Sequence, residues 1–421
     1  MGTPRWKEDI VELGRLGRRN NAAVERREQL SLESGLHRLE GTALSKASKE
    51  YMVGRMKEAG LNVRFDRVGN IYGHRKGAKT GAKAVMTGSH LDSVLNGGMF
   101  DGIVGVVGAL EAVRLMQDEG FENQRPVEMV IFMGEEGSAF KKGLLGSDVA
   151  VGQRTVDEAL ALKNEENASL EDVLRSSGYV GDFMMDFGTV GYFIEMHVEQ
   201  GPVLDREKVP IGIVENITGI TWVSATIKGQ ENHAGTTPMT MRIDPLVAAS
   251  EIVLLANRRA NEMVKELGGS TVATVGKLIV KPGAPNIIPG SVEMGIDIRD
   301  GVEKNMKKLQ EEVMQAVKNL EQRHKVATST EIPIYHPPCP CDGEVIRAIG
   351  DATRRLGVKA RKMNSGAGHD AQNVAKKVKT GMIFVPSVNG VSHSPLEWTN
   401  WEDIERGIQV LGGAVKELSK A

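Results

Sequence analysis

Histidine, aspartate and glutamate recur in this chain where they could share cations. The groups are Thr87-Gly-Ser-His-Leu-Asp92, Gly97-Gly-Met-Phe-Asp101, Gly134-Glu-Glu136, Met196-His197 and Ser392-His393. Two divalent cations held close together call for a bridging carboxylate with imidazole and carboxylate ligands at the ends, and that inventory is present. Asp92, two residues beyond His90, is placed to orient the imidazole and raise its basicity. Glu135 and Glu136 are adjacent at a strand end, so their side chains point in different directions. One can bind metal while the other faces the attacking water, takes its proton and passes it to a leaving nitrogen. Singly, each of these residues is more readily a solvated loop side chain or part of a charged face. Jointly, all following apolar runs, they are not so easily dismissed.

Those runs say what must position the groups. They cover 84–86, 127–133, 192–198 and 381–386, each breaking into a polar loop. This is βα punctuation, and it predicts an α/β fold with a mainly parallel sheet whose site lies beyond the C-terminal ends of the strands. Residues 213–330 read differently, as strand 221–227, helix 244–267, strands 271–280 and 291–299, helix 303–324 and strand 325–332. That order predicts an inserted ferredoxin-like α+β domain. It leaves 1–212 and 331–421 as the catalytic domain, a division natural for 421 residues.

Composition narrows the partners. Lys+Arg total 53 against Asp+Glu 55, a net charge of -2 with no long run of either sign, which argues for a small-molecule substrate over nucleic acid or a membrane surface. No window approaches ~20 apolar residues, and the N-terminus lacks the apolar segment of a signal peptide. Gly2 invites a myristoylation reading, but that motif wants Ser or Thr where Trp6 stands. Cys339 and Cys341 are too few for a disulfide framework and wrongly spaced for zinc. A soluble, cytoplasmic protein is expected.

Two other classes compete. Gly366-Ala-Gly-His-Asp-Ala371 satisfies G-x-G-x-x-A, the mark of a nucleotide-binding oxidoreductase. However, 362–365 is not a convincing strand, and Val385-Pro-Ser-Val-Asn-Gly390 stands where an acidic residue is required. A non-catalytic binding protein would have little use for the full ligand set together with Glu135.

The longer motifs TGSHLDSVLNGGMFDG, GEEGSAF, IEMHVEQGPVL, NHAGTTPM, PNIIPG, DIRD, SGAGHDAQ and NGVSHSPLEW resemble the M20 metallopeptidase clan. Within it they are similar to the hydantoinase/carbamoylase family, which includes N-carbamoyl-L-amino-acid hydrolases, allantoate amidohydrolases and β-ureidopropionases. The resemblance runs from about Arg38 to the C-terminal helix. It implies two divalent ions per subunit (Zn, Mn, Co or Ni), one held by His90, Asp101 and His197 and the other by Asp101, Glu136 and His393, with Asp101 as the bridge. It implies Glu135 as general acid/base, with Gln200, His233, Asn286 and Arg299 as substrate contacts. It also implies a homodimer in which 213–330 is the lid and dimerisation domain.

Arg299 offers a planar fork for a substrate carboxylate, and His233 can donate to a developing oxyanion. Arg299 could equally be a surface ion pair, and His233 a cap on the Thr236-Thr237 turn. Whether these residues act within their own chain or across the dimer stays open. The implied reaction is hydrolysis of the ureido C–N bond of a small acid, an N-carbamoyl-L-amino acid first and allantoate as the alternative. An aminoacylase or dipeptidase of the clan stands behind both. Ala139 departs from the long side chain of many relatives, and His369 lies near the site in the family's pattern without an assigned role.

Overall fold

The structure, a computed structural model, describes residues 3–420, so Gly2 lies outside the described residues. The chain forms two compact units, one running to Glu215 and resuming at Cys341, the other Asn216–Pro340.

The first unit is built on a sheet whose strands lie in the order Asn62–Phe65, Ile71–Arg75, Val127–Phe132, Ala84–His90, Val190–Val198, Lys379–Val385 and Ile211–Ile217. The middle four, from Val127–Phe132 to Lys379–Val385, are parallel neighbours. The outer pairings are antiparallel. The sequence explains the division. Ala84–His90 and Val127–Phe132 are buried along their whole length, the near-continuous apolar pattern of strands covered on both faces. The helix Ile103–Asp118 packs on this sheet and is itself covered by the helix Trp401–Ser419. It is therefore buried almost all round and shows no polar stripe.

One expectation fails here. Ala360–Ser365 is a strand and pairs with Ile211–Ile217. Its sequence, ARKMNS, has few apolar residues because only its last residue is fully buried, so periodicity gave little sign of it.

In the second unit the order is strand Gly219–Lys228, helix Pro245–Leu267, strands Val272–Lys281 and Ser291–Asp300, helix Glu303–His324 and strand Ala327–His336. The sheet order is Ala327–His336, Gly219–Lys228, Ser291–Asp300, Val272–Lys281, antiparallel throughout. Along Ser291–Asp300 the residues Val292, Met294, Ile296 and Ile298 are buried in the unit's core, while Glu293, Asp297 and Arg299 lie on the opposite face. The first helix starts where Asp244 accepts the N–H groups of Leu246 and Val247, and it ends at Gly268 in the left-handed conformation. A two-residue ribbon, Asn232–His233 against Ile287–Ile288, stands apart from the main sheet. Among the described residues no helix is long and apolar enough to cross a membrane.

Candidate metal centre

The four parallel strands end side by side, and the loops beyond their C-terminal ends carry the chemistry. His90 closes Ala84–His90, Glu135 and Glu136 follow Val127–Phe132, His197 lies at the end of Val190–Val198, and His393 follows Lys379–Val385. Asp101 arrives from the loop that starts the Ile103–Asp118 helix. Beside it Gly102 has φ +69, and a Cβ there would sit 2.6 Å from His90 Cε1, so the turn that delivers Asp101 requires glycine.

Asp101 stands between two sets of donors. Its Oδ1 is 3.4 Å from His90 Nε2 and 3.2 Å from His197 Nε2. Its Oδ2 is 3.3 Å from His393 Nε2, which is 3.4 Å from Glu136 Oε2. His90, Asp101 and His197 form one group able to hold a metal ion, and Asp101, Glu136 and His393 form another. The rings are fixed from behind. His90 Nδ1 faces the Asp92 carbonyl at 3.1 Å and His197 Nδ1 faces the Val198 carbonyl at 3.0 Å. A carbonyl only accepts, so each imidazole donates from Nδ1 and turns Nε2 toward Asp101, the nitrogen that a metal ion would take from the neutral ring.

The centre is crowded with acid. Burial raises Glu135 well above the ordinary carboxylate range, the charge of Glu136 adding to it against the pull of His90. Burial, then the charge of Asp101, pushes Glu136 up to about 8. Burial opposes ionisation of Asp101 too, yet His197, His393 and His90 together hold it well below its usual range. Glu136 Oε1 is buried without a partner among the described residues. Several carboxylates in a dry site, an orphaned oxygen and aimed imidazole nitrogens make a mixed N/O donor set that fits divalent cations.

Asp92 supports the centre differently from what its spacing suggests. Its Oδ1 and Oδ2 accept the N–H groups of Glu135 and Glu136, each at 3.1 Å, and Oδ1 stands 3.7 Å from His90 Nδ1. The ring's hydrogen bond goes to the Asp92 carbonyl, which leaves the carboxylate to the Glu135–Glu136 turn. Glu397, unassigned from sequence, accepts the N–H groups of Phe100 and Asp101 at 2.9 and 3.0 Å and the Ser392 hydroxyl at 3.1 Å. The signal for it was an acid beside Trp398 in the motif that carries His393.

Gln200 reaches the centre, its Nε2 donating to Asp101 Oδ2 at 2.8 Å. His369 is buried with its ring centroid 4.6 Å from that of His197 and its Nε2 3.0 Å from Ser365 Oγ. Burial, then the neighbouring His197, holds its pKa well below the usual value, which makes it a neutral wall. Its G-x-G-x-x-A segment opens a helix of only five residues, Asp370–Val374, and Ala371 gives its N–H to Glu195. Ala139 packs against the small apolar cluster around Phe140 and Leu145.

His233, Asn286 and Arg299 belong to the second unit. His233 Nδ1 accepts the N–H groups of Gly235 and Thr236 at 2.9 and 3.1 Å, and the Asn286 carbonyl accepts the Ala234 N–H at 3.0 Å. These two residues therefore share one loop cluster. Arg299 forks onto Asp297, Nε to Oδ1 at 2.9 Å and Nη2 to Oδ2 at 3.0 Å, near the far end of its strand. The eight-residue step from Ser291 to Arg299 spans about 26 Å of extended chain.

Residues 86–417 match the sequence profile of Peptidase family M20/M25/M40. The chain is 37% identical over 390 residues to the N-carbamoyl-L-amino-acid amidohydrolase of Paenarthrobacter aurescens, covering 92% of this chain and 94% of that one. It is 33% identical over 366 residues to the allantoate amidohydrolase of Bacillus subtilis, with 86% and 88% covered. Among solved structures, an amidase of the hydantoinase/carbamoylase family from Burkholderia multivorans matches with a TM-score of 0.88 at 35% identity, over 99% of this chain and 98% of that one.

Proposed function

The chain belongs to peptidase family M20/M25/M40, in its hydantoinase/carbamoylase branch, and on that premise we propose a metal-dependent amidohydrolase. Its reaction is hydrolysis of the ureido C–N bond of a small carboxylic acid, an N-carbamoyl-L-amino acid first, releasing ammonia, carbon dioxide and the amino acid. The observation that carries this is Asp101 between two donor sets at the ends of parallel strands.

His90, Asp101 and His197 would hold one divalent cation, and Asp101, Glu136 and His393 a second, drawn from zinc, manganese, cobalt or nickel. Such cations, when bound, polarise the ureido carbonyl and acidify the attacking water. Glu135 takes the water's proton and delivers it to the leaving nitrogen. Burial raises its pKa, which strengthens it as an acceptor for the water's proton. His233 spends Nδ1 on two backbone N–H groups, so its proton sits on Nε2, the donor needed where the carbonyl oxygen gathers charge. Arg299, with Asn286 and Gln200, recognises the substrate, the guanidinium fork matching its carboxylate.

The second unit serves as a ferredoxin-like lid and dimerisation domain. Val272–Lys281 is an edge strand with Val272, Leu278 and Ile279 exposed, and the neighbouring Pro245–Leu267 helix exposes Val247 and Leu254. An apolar edge of this kind favours a second copy as its cover. The strand of about 26 Å that separates Arg299 from the Asn286 loop exceeds an arginine's reach, so one copy does not bring all three contacts to one small substrate, whereas two copies can share them. A cytoplasmic location belongs to the same proposal and is supported by a sequence with only two cysteines, too few for a disulfide framework.

Ammonia release from N-carbamoyl-L-amino acids of several sizes, assayed beside allantoate, tests the function. A higher kcat/KM for an N-carbamoyl amino acid is expected. Preference for allantoate would support the second reading, which the likeness to the Bacillus subtilis enzyme favours. Release from none of them would refute ureido specificity.

A further inference from the structure

Gln200 follows the Val190–Val198 strand with φ +58, in the left-handed region that a residue with a side chain adopts only when its surroundings hold it there. Its N–H is held by Ser387 Oγ at 3.0 Å. The side chain reaches the bridging carboxylate, with Nε2 2.8 Å from Asp101 Oδ2 and 3.2 Å from His393 Nε2. The other end of the amide, Oε1, is buried without a partner among the described residues. The amide thus spends its donor end on Asp101 and leaves its acceptor end unused.

Asp101 Oδ2 and His393 Nε2 are also two of the atoms assigned above to the second cation. An amide N–H₂ group and a cation are both electropositive and would draw on the same lone pairs, so they exclude one another there. We propose that Gln200 gates the second cation position, an inference that rests on the two-cation assignment above. Its amide nitrogen competes with the cation for Asp101 Oδ2 and His393 Nε2, and loading turns the amide away, toward the substrate it then contacts. Loading is therefore ordered. The position formed by His90, His197 and Asp101 Oδ1 meets no side-chain amide, only the Gly102 N–H at 3.2 Å from His197 Nε2, and fills first. The second binds with an affinity lowered by the fraction of molecules in which the amide is withdrawn.

The gate makes an unusual prediction, because removing a polar residue from a metal centre should tighten metal binding. Gln200→Met keeps the length of the side chain without its donor, and Gln200→Ala removes the side chain altogether. Demetallated wild type and both variants would be checked for folding by circular dichroism and titrated with Co²⁺, following heat and the visible d–d spectrum. Wild type should show two steps, and in the variants the weaker should tighten roughly tenfold, as expected for loss of one hydrogen bond to a charged group, while the stronger is unchanged. A second step that is unaltered or weaker in the variants would overturn the gate, the weaker result marking the amide as a ligand. If wild type takes up a single cation, the two-cation assignment itself falls and the gate with it, and the wild-type stoichiometry alone distinguishes that case.

Discussion

Asp92 Oδ1 accepts the backbone N–H of Glu135 at 3.1 Å, and its other oxygen accepts the next N–H, that of Glu136, at the same distance. One carboxylate therefore sets the turn from which both the proposed base and a proposed ligand project. Asp92→Asn leaves one acceptor and points an amide N–H₂ at the other N–H, a donor against a donor. The expected result is a fall in kcat of roughly 10- to 100-fold with KM little changed and metal content kept. Steady-state kinetics with metal analysis checks it. Loss of metal ahead of kcat would mean that Asp92 acts mainly on His90.

Glu135 and Glu136 differ in what they face. Glu136 Oε2 is 3.4 Å from His393 Nε2 and gathers with Asp101 and His393, whereas Glu135 Oε2 is 3.8 Å from His90 Nε2 and gathers with His90 and Glu136. Glu135→Gln should keep fold and metals while kcat falls on the order of 10²-fold or more. Asp101→Ala, which removes an oxygen from each donor set, should instead lose metal. A normally active Glu135→Gln variant would send the search for the base elsewhere.

Metal removal should act on stability as well as activity. The centre gathers carboxylates whose charge burial disfavours, and ions that bind only the folded state stabilise it by about 2.7 kcal/mol at a hundred times their Kd. Chelation should abolish activity and lower Tm, and Zn²⁺, Mn²⁺, Co²⁺ or Ni²⁺ should restore both. Full activity after exhaustive demetallation would end the proposal.

The centre was legible because its residues sit where short apolar runs break, and a parallel sheet places those breaks side by side. His90, Asp101, Glu136, His197 and His393 do come together. Their supports were less legible. Asp92 lies two residues from His90, but its carboxylate serves amides more than forty positions later, and no local spacing carries such a contact. The bend at Gln200 is a non-glycine in the left-handed region, which composition does not announce. The strand Ala360–Ser365 was missed because its burial is slight. The separation of Arg299 from Asn286 was not drawn from the sequence, although the strand Ser291–Asp300 lies between them.

Arg299 now holds Asp297 in a two-point pair at the surface of its sheet, so substrate recognition requires the fork to leave or share that partner. Arg299→Lys should already lower kcat/KM, because an ammonium makes no planar two-point contact. Esterified substrate should be poor for wild type, and the variant should no longer distinguish it from the free acid. Discrimination retained in the variant would move the role to another residue.

The shared site is tested by complementation. His233 and Asn286 lie at one end of the second unit's sheet and Arg299 near the other, which suits contacts supplied by two copies. A Glu135→Gln chain and a His233→Ala chain should each be inactive alone. In a mixed dimer with crossed sites, one site combines both substitutions and the other receives intact Glu135 and intact His233. Random pairing makes about half the dimers mixed, each with one of two sites whole, so about a quarter of wild-type activity should return. If His233 served its own chain, every site in the mixture would carry one defect or the other. A mixture that stays inactive after subunit exchange has been verified would therefore place His233 in its own chain and refute the shared site.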